Sequence, residues 1–299
     1  MARKRDVVIG AIIAVSFVIV IGFFGLLFYS FFVGEGDVSL GGFGARVAVV
    51  EVFGVIEYSE DIVRQLKRWG ETDNVKAIVL HINSPGGAVA PSQEIYDEIL
   101  RIRYDDGKIV VASMSSVAAS GGYYISCAAD QIMANPGTIT GSIGVIMQIL
   151  TAEKLMKTIG ISYEVVKSGQ LKDVGILDRA MSEHERRMLT SMVMDTHEQF
   201  VEAVAEGRSL EKEEIYPLAD GSVFSGRQAV EIGLIDTLGG FEDAVRYAAE
   251  LAGIKGEPKT VKVVKPKPSF FDLLGSLLGK ADNAVSGLQS TGPRILYLY

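Results

Sequence analysis

Alternation of strand-type and helix-type segments is the feature that most restricts how this chain of 299 residues can fold. Val47–Phe53, Val75–Ile82 and Ile109–Ser113 are short apolar runs, and a segment with helical features follows each of them. Apolar strands that alternate with helices predict a mostly parallel sheet covered by helices on its faces. The pattern therefore predicts an α/β domain, which we place at residues 46–254.

The other predicted elements follow from local patterns. Predicted helices span Glu60–Trp69, Ser92–Arg103, Tyr123–Ala129, Glu153–Ile159 and Ser182 to about Glu206, and further predicted strands span Gln131–Ala134 and Ser162–Lys167. Ser182 and Glu185 form the sequence pattern of a capping box at the start of the longest helix. Residues 255–299 are predicted to be a linker, with basic and proline-punctuated residues 259–268, and a C-terminal tail that ends in an extended apolar segment.

The N-terminal segment differs in composition from the rest of the chain. Residues 7–33 carry no charged side chain and are long enough to cross the roughly 30 Å hydrocarbon core of a bilayer. Basic residues precede the apolar run, which predicts a cytoplasmic N-terminus and an extracytoplasmic domain. We therefore predict an anchor at residues 1–33 that contacts the lipid bilayer, then a flexible spacer at residues 34–45. A cleaved signal peptide is the alternative, but its apolar region is usually shorter.

Charge and cysteine content exclude some functions. The formal net charge is −8, and no basic patch is present in the sequence, which argues against a nucleic-acid partner. The single cysteine, Cys127, has no partner for an internal disulfide and falls in an apolar segment. We expect it to be buried in the core.

Ser120 stands where a predicted strand gives way to a predicted helix. Gly121 and Gly122 follow it, and the first amides of a helix have no partner within the helix. These amides and the helix dipole favour an anion beside the serine. Ser120 is thus a candidate nucleophile, and the alternative is a serine that only caps the helix.

A nucleophilic serine needs a base, and no histidine is well placed by sequence position. His81 lies in an apolar strand, while His184 and His197 lie on the long, charged helix. A lysine can act as the base if burial lowers its reference pKa of about 10.4 enough to make the amine neutral near pH 7. Lys172 lies in a loop between apolar residues and is the local candidate; the alternative is an ordinary solvated lysine.

A second set of amides is predicted one unit earlier. The segment Asn83-Ser-Pro-Gly-Gly87 ends a strand, and Gly87 is predicted to open the next helix, so its N–H has no partner in a sheet or helix and can donate to an oxyanion. Parallel strands end at the same edge of a sheet, where such folds bind ligands, so Gly87 and Ser120 are predicted to lie close together. A tight turn between strand and helix is the alternative reading of the same residues.

Five motifs together resemble those of the signal peptide peptidase A family. They are Asn83-Ser-Pro-Gly-Gly87, Ala118-Ala-Ser120-Gly-Gly-Tyr-Tyr124, Thr140-Gly-Ser142-Ile-Gly-Val145, Lys167-Ser-Gly-Gln-Leu-Lys172-Asp173 and Gly226-x-x-Ala229-x-x-x-Gly233-Leu-Ile-Asp236. The resemblance extends from about Arg46 to Gly253. It implies a Clp-protease/crotonase fold of repeated ββα units, with one N-terminal transmembrane helix.

The resemblance also implies the site. Ser120 would be the nucleophile and Lys172 the general base, with Ser142 orienting the lysine and the amides of Gly87 and Gly121 forming the oxyanion hole. No cofactor or metal is expected. Leu171 stands where the family often has tyrosine, which bears on the shape of the pocket.

The function implied is that of a membrane-anchored Ser/Lys endopeptidase. Its expected partners are cleaved signal peptides and other extended apolar peptides, together with copies of itself in a homo-oligomeric ring where the lysine reaches the serine of the next subunit. Two alternatives remain. One is an acyl-CoA hydratase or isomerase of the same fold, and the other is a non-catalytic membrane scaffold.

Overall fold

The computed structural model describes Gly22, residues 44–263 and residues 295–298. The chain divides into two compact units, of residues 1–42 with 263–277 and of residues 43–262 with 278–299, and every element below belongs to the second. Nearly all of the predicted anchor and spacer, and residues 264–294 of the predicted tail, lie outside the described residues. Over the part of the chain that is described, no helix has the length and apolar character needed to cross a membrane.

Eleven strands, eight α-helices and one short 3-10 helix (Tyr216–Leu218) follow one another in residues 44–263 and 295–298. The strands are β1 (Arg46–Phe53), β2 (Val75–Ser84), β3 (Gly86–Ala88), β4 (Ile109–Ala119), β5 (Gln131–Ala134), β6 (Ile139–Gly141), β7 (Ile146–Met147), β8 (Val223–Ser225), β9 (Thr237–Leu238), β10 (Lys259–Lys262) and β11 (Ile295–Leu298). The helices are α1 (Glu60–Gly70), α2 (Val89–Tyr104), α3 (Gly121–Ser126), α4 (Glu153–Ile159), α5 (Glu183–Arg208), α6 (Lys212–Ile215), α7 (Gly226–Glu231) and α8 (Phe241–Leu251).

The main sheet has eight strands and is almost entirely parallel. Its order is β10-β1-β2-β4-β5-β9, with β6 paired to the far end of β4 and β8 paired antiparallel to β6. Val47, Val79 and Val111 pack with α8 in one buried cluster on one face of the sheet. Ile78 and Val110, which alternate with them, are fully buried on the other face. Burial on both faces explains why these strands are continuously apolar, and the predicted α/β class with a parallel sheet is confirmed.

Strand β4 carries the chain to the carboxyl edge of the sheet. Its first half pairs with β2 and β5, and its last residues pair with β6. The register with β2 shifts after Ile82, where the side chain of Asn83 accepts a hydrogen bond from the backbone N–H of Val117 at 3.2 Å. This side chain supports β4 beyond the normal ladder, so the strand extends six residues past the predicted end at Ser113 and stops next to Ser120.

A second, antiparallel sheet has the strand order β3-β11-β7. Strand β3 is also linked to Ile56, because the N–H of Ile56 donates to the carbonyl of Gly86 and the N–H of Ala88 donates to the carbonyl of Ile56. This sheet lies against the carboxyl edge of the first one through Gly86 and Gly87, which approach Gly121 at the start of α3.

Three predicted segments differ from the structure. Residues 86–88 form a strand rather than a simple turn, because Ile56 and β11 both provide backbone partners, and α2 starts at Val89 rather than Ser92. Gly87 therefore does not open a helix. Ser162–Lys167 is not a strand: its residues are exposed, and the β-branched Val165 and Val166 have no neighbouring strand to pack beside.

The boundary of the domain also differs from the prediction. Lys259–Lys262 was predicted to begin a linker, but it forms β10 and pairs in parallel with β1. Val261 is buried, which explains why this segment forms a strand rather than a linker. The domain therefore ends near residue 262 rather than 254, and the C-terminal residues 295–298 return to the same unit as β11.

Candidate active site

Ser120 is buried at the junction between β4 and α3. Its backbone N–H donates to the carbonyl of Gly141 at 2.8 Å, and its own carbonyl accepts from the N–H of Tyr124 at 2.8 Å. The side chain is fully buried, and its Oγ has no hydrogen-bond partner within the described part of the protein. A buried hydroxyl without a partner costs about 1–3 kcal/mol, so this serine is placed at the expense of stability. It does not act as the predicted alternative, a helix cap, since its side chain makes no capping hydrogen bond.

The backbone of Ser120 is also strained. Its φ of 52° lies in the region that residues with a side chain rarely adopt, and Ser142 has a φ of 51°. The only other described residue of this kind that is not glycine is Ser209, which ends helix α5 in the usual left-handed C-cap. Ser120 and Ser142 have no such ordinary explanation, and strain of this kind concentrates at functional sites.

The two predicted amide donors lie next to each other. A Cβ atom built on Gly121 would be 3.2 Å from the backbone N of Gly87, which shows how closely α3 approaches β3. Gly121 is the first residue of its helix, so its N–H has no partner in the helix. A Cβ built on Gly122 would lie 2.9 Å from the carbonyl oxygen of Ser84. Both glycines therefore also serve packing, because larger residues would hold the helix away from β2 and β3.

Ser142 lies at the same sheet edge as Ser120. Ala119 and Gly141 are paired in the parallel ladder of β4 and β6, so the two serines follow paired residues. Ser142 is 6% exposed, and its N–H donates to the carbonyl of Ser222 at 2.7 Å. The structure thus brings four of the five predicted residues, Gly87, Ser120, Gly121 and Ser142, to one edge of the sheet.

Lys172 is the predicted site residue that remains on the surface. Its side chain is exposed, and its backbone lies in a series of turns where its N–H donates to the carbonyl of Gly169 at 3.2 Å. The neighbouring residue Asp173 is held firmly, by Lys167 at 2.6 Å and by Arg179 at 3.0 Å. Within this single chain the lysine therefore lacks the burial that a neutral amine requires.

An ion-pair network ties this loop to helix α5. The guanidinium of Arg179 bridges Asp173 and Glu185, and Glu185 also accepts from the N–H of Ser182 at 2.7 Å in the predicted capping box. The hydrogen bond from Arg179 lowers the pKa of Glu185, and the bond from Lys167 lowers the pKa of Asp173. Sequence reasoning missed this network, because partners six residues apart in an irregular segment follow no periodic pattern.

The three histidines have other surroundings. The ring of His81 lies between those of Phe53 and Phe241, and burial lowers its pKa. His197 is hydrogen bonded at 2.7 Å to the carbonyl of Ala219, and His184 is exposed on α5. None of these contacts involves Ser120. Cys127 is buried, as predicted.

A cleft of about 470 Å³ lies beside β7. Apolar and polar groups line it in nearly equal measure, and Met147 of β7, Ile149, and Leu189, Val193 and Arg186 of α5 are among the lining residues. Since β7 is the edge strand of the second sheet, this cleft adjoins that sheet.

A buried, strained serine at a strand-to-helix junction, with two backbone amides beside it, is the arrangement typical of hydrolases that use a serine nucleophile. Comparison with known families gives a narrower assignment. The family model described as Peptidase family S49 matches residues 102–255, and the one described as Clp protease matches residues 52–140. The chain belongs to peptidase family S49 and is a serine peptidase, and the predicted family resemblance is confirmed.

Individual relatives agree with this assignment. The chain is 41% identical to slr0021 of Synechocystis sp., a candidate protease by name, over 80% of this chain and 87% of that protein. It is 38% identical to a candidate signal peptide peptidase SppA of Enterococcus faecium, over 78% of this chain and 66% of the relative. It is also 33% identical to the chloroplastic serine protease SPPA of Arabidopsis thaliana, over 77% of this chain but only 35% of that longer protein.

Proposed function

We propose that the protein is a membrane-anchored serine endopeptidase that degrades remnant signal peptides and other apolar peptides through a Ser120–Lys172 dyad. The observation that carries the proposal is the state of Ser120: buried, strained and without a hydrogen-bond partner for Oγ, next to the Gly87 and Gly121 amides. A structural serine would have a partner, whereas a nucleophile needs a free oxygen that faces donors for an oxyanion.

The proposed chemistry is acyl transfer. The neutral amine of Lys172 takes the proton of Ser120, and Oγ forms a bond to the carbonyl carbon of the substrate. The amides of Gly87 and Gly121 stabilise the oxygen that becomes negative. The peptide C–N bond then breaks, and the leaving amine receives the proton from the lysine. The same lysine then takes a proton from water, and the water oxygen forms a bond to the acyl carbon. The ester bond between that carbon and Oγ breaks, and the lysine returns its proton to Oγ, which restores both Ser120 and the neutral amine.

We further propose that Lys172 completes the site of a neighbouring copy in a homo-oligomeric ring, where Ser142 orients its amine. The exposure of Lys172 supports this arrangement, since a base of this kind needs a covered, apolar environment. Apolar side chains that face solvent precede the loop in the chain: Ile159, Ile161, Tyr163, Val165 and Val166, the last of them 98% exposed. A second subunit that covers these side chains would also bury the lysine.

Mixing two inactive forms tests the shared site. Chains with Ser120→Ala keep Lys172, and chains with Lys172→Ala keep Ser120, so a mixed ring contains some sites with both groups. We expect peptidase activity to return after the two forms are dissociated and reassembled together. If each site is built within one chain, the mixture stays inactive while each form assembles normally.

The substrate and location follow from the same features. Residues 7–33 are uncharged and long enough to span a bilayer, which supports an anchored domain close to the membrane face. The cleft beside β7 includes the apolar side chains of Met147, Leu189 and Val193, which suit the apolar side chains of signal peptides. The names of two of the relatives above, a candidate signal peptide peptidase SppA and a serine protease SPPA, agree with this substrate class.

A serine-reactive probe tests the nucleophile directly. The full chain in detergent micelles is treated with a fluorophosphonate, and the labelled residue is identified by mass spectrometry. We expect label on Ser120 and parallel loss of cleavage of an apolar fluorogenic peptide. Unlabelled protein that is assembled and folded would instead favour an acyl-CoA enzyme of the same fold or a non-catalytic scaffold.

A further inference from the structure

The loop of residues 219–222, just before β8, lies against the strained Ser142. The N–H of Ser142 donates to the carbonyl of Ser222 at 2.7 Å, and the N–H of Gly221 donates to the carbonyl of Ile143 at 3.1 Å. Two backbone hydrogen bonds thus join this loop to the segment that carries the Ser142 hydroxyl.

Ser142 needs this support because of its backbone conformation. Its φ of 51° lies in a region that residues with a side chain rarely adopt, and such a conformation persists only where neighbouring contacts hold it. Gly141, the residue before it, pairs with Val223 in the ladder of β6 and β8. The hydrogen bond from Ser142 to Ser222 comes directly after that pair. The position of Ser222 therefore determines how Ser142 is oriented.

Most of the loop is exposed, so packing alone does not hold it. Asp220, Gly221 and Ser222 face solvent, and Ala219 at the start of the loop is buried. The side chain of Asp220 accepts a hydrogen bond from the N–H of Ser222 at 2.9 Å. This internal bond fixes the shape of the loop but does not attach the loop to the rest of the protein.

His197 of helix α5 attaches the buried start of the loop. Its Nε2 lies 2.7 Å from the carbonyl oxygen of Ala219. Because a carbonyl can only accept, the ring nitrogen must carry the hydrogen and donate it, which both the neutral Nε2–H tautomer and the imidazolium can do. Helix α5 is 26 residues long and is capped at Ser182, so it gives this contact a firm base.

We propose that His197 is a positioning residue for the active site. It holds the loop through Ala219, and the loop holds Ser142 through Ser222. The inference rests on the proposed function, because it takes Ser142 as the residue that orients the amine of Lys172. A displaced hydroxyl leaves that amine poorly aligned with the nucleophile, which lowers kcat, whereas KM for the peptide stays nearly unchanged.

Substitution of the histidine gives the first test. His197→Leu removes the donor and keeps a side chain of moderate size, whereas His197→Gln keeps an N–H that can reach the same carbonyl. On an apolar fluorogenic peptide, we expect the leucine variant to lose about fivefold in kcat, the size of one neutral hydrogen bond, with KM unchanged. The glutamine variant should recover the kcat of the wild type. A leucine variant with the wild-type kcat, or a glutamine variant without recovery, would overturn the inference.

A control and a double variant show whether the effect passes through Ser142. His184→Leu, at an exposed histidine on the same helix, should match the wild type. Ser142→Ala deletes the hydroxyl that is to be positioned, so His197→Leu should cause no further loss of kcat in that background. A fivefold loss in both backgrounds would mean that the histidine is only structural, which contradicts the proposal.

Amide exchange separates this inference from the proposed function. In the full chain in detergent micelles, exchange at the N–H of Ser142 should be about fivefold faster in His197→Leu than in the wild type, and unchanged in His184→Leu. If this difference is found but no form cleaves peptides through Ser120, the peptidase mechanism fails and the link between His197 and Ser142 stands. If cleavage depends on Ser120 and Ser142 but His197→Leu matches the wild type in kcat and in exchange, the positioning role fails alone.

A shorter variant keeps the test valid if the leucine variant does not fold. His197→Asn has a polar side chain that is too short to reach Ala219, so it removes the same hydrogen bond without placing an apolar group there. It should show the same loss of kcat and the same faster exchange. Wild-type values for both would contradict the proposal.

Discussion

The surroundings of Ser120 and those of Lys172 differ in every respect that a single chain controls. Ser120 lies between β4 and α3, and every residue of α3 is buried. The segment before Lys172 is the opposite: residues 161–170 are all exposed, and they include no helix or strand. The fold of one chain thus fixes the proposed nucleophile and its proposed amide donors but leaves the proposed base on the surface.

This difference shows where assembly is needed. Backbone hydrogen bonds and packing hold Ser120 in a fixed position. Its backbone is strained and its hydroxyl has no hydrogen-bond partner, and both features cost stability. Asp173, Arg179 and Glu185 hold the lysine loop through charged contacts. We expect the four variants below to act on these two regions in different ways, because the proposed nucleophile lies in the buried core and the proposed base lies on the surface.

Removal of the nucleophile should have the largest effect. Ser120→Ala is expected to lower kcat by at least about 10⁴-fold, as for other enzymes that lose a nucleophilic serine. The free energy of unfolding should rise by about 1–3 kcal/mol, because the deletion removes a buried hydroxyl that has no hydrogen-bond partner to lose. The measurements are kcat and thermal unfolding, with Ser116→Ala, an exposed serine on the same strand, as the control. If Ser120→Ala keeps its activity, Ser120 is not the nucleophile.

Removal of the base should have an effect nearly as large but should leave the fold untouched. Lys172→Ala is expected to lower kcat by about 10³-fold or more, and Lys172→Arg should not restore it, because a guanidinium stays protonated. The melting temperature should not change, since the side chain is exposed in the single chain. Lys154→Ala, an exposed lysine on the neighbouring helix, is the matched control. A large loss of stability in Lys172→Ala would mean that the lysine is structural.

A methyl group on Gly121 should disturb the contact between the helix and β3. Its Cβ would lie 2.8 Å from Ser92 Oγ and 3.2 Å from the backbone N of Gly87, so the two amide donors must move apart. We expect kcat to fall by about 10²-fold with a small change in KM, the size seen when one oxyanion donor is lost. Gly137→Ala has no atom within 4 Å of the new Cβ and should be neutral. Unchanged kcat in Gly121→Ala would argue against these amides as the oxyanion hole.

The smallest effect is expected at the anchor of the lysine loop. Arg179 lowers the pKa of Glu185, so the ionised contact stabilises the native loop above the ordinary glutamate range and is lost as the pH falls through the lowered pKa. Glu185→Gln removes this contact at neutral pH. Amide exchange in residues 169–176 should then be faster by at most about fivefold, the size of a partly exposed ion pair.

Two comparisons make that measurement decisive. Glu183→Gln, on the exposed side of the same helix turn, should leave the exchange unchanged. The wild-type loop should keep its protection at pH 5 and lose it only in strong acid. Protection lost in the ordinary glutamate range, or an equal effect of both variants, would mean that Glu185 does not hold the loop.

The sequence predicted the parts of the structure that local patterns determine. Gln131–Ala134 and Glu153–Ile159 have the predicted bounds, and the Ser-Gly-Gly junction at Ser120 was predicted because its consequence is local. Strand β3 was missed because its partners, Ile56 and β11, are distant in the chain and a Pro-Gly-Gly sequence also fits a turn. Ser162–Lys167 was assigned as a strand from its residue types, but a strand needs a partner, which sequence periodicity does not reveal. The position of Lys172 relative to Ser120 depends on tertiary and, as we propose, quaternary contacts.

The close contact between Gly87 and Ile56 limits which substitutions strand β3 can accept. A Cβ atom at position 87 would lie 2.1 Å from the carbonyl oxygen of Ile56, so no side chain fits there and this position can offer only backbone groups. Strand β7 is open to substitution, with Ile146 40% exposed and the cleft of α5 beside it. Position 87 is therefore fixed by its backbone contact, whereas substitutions on β7 and α5 can change the surface of the cleft without altering the proposed oxyanion donors.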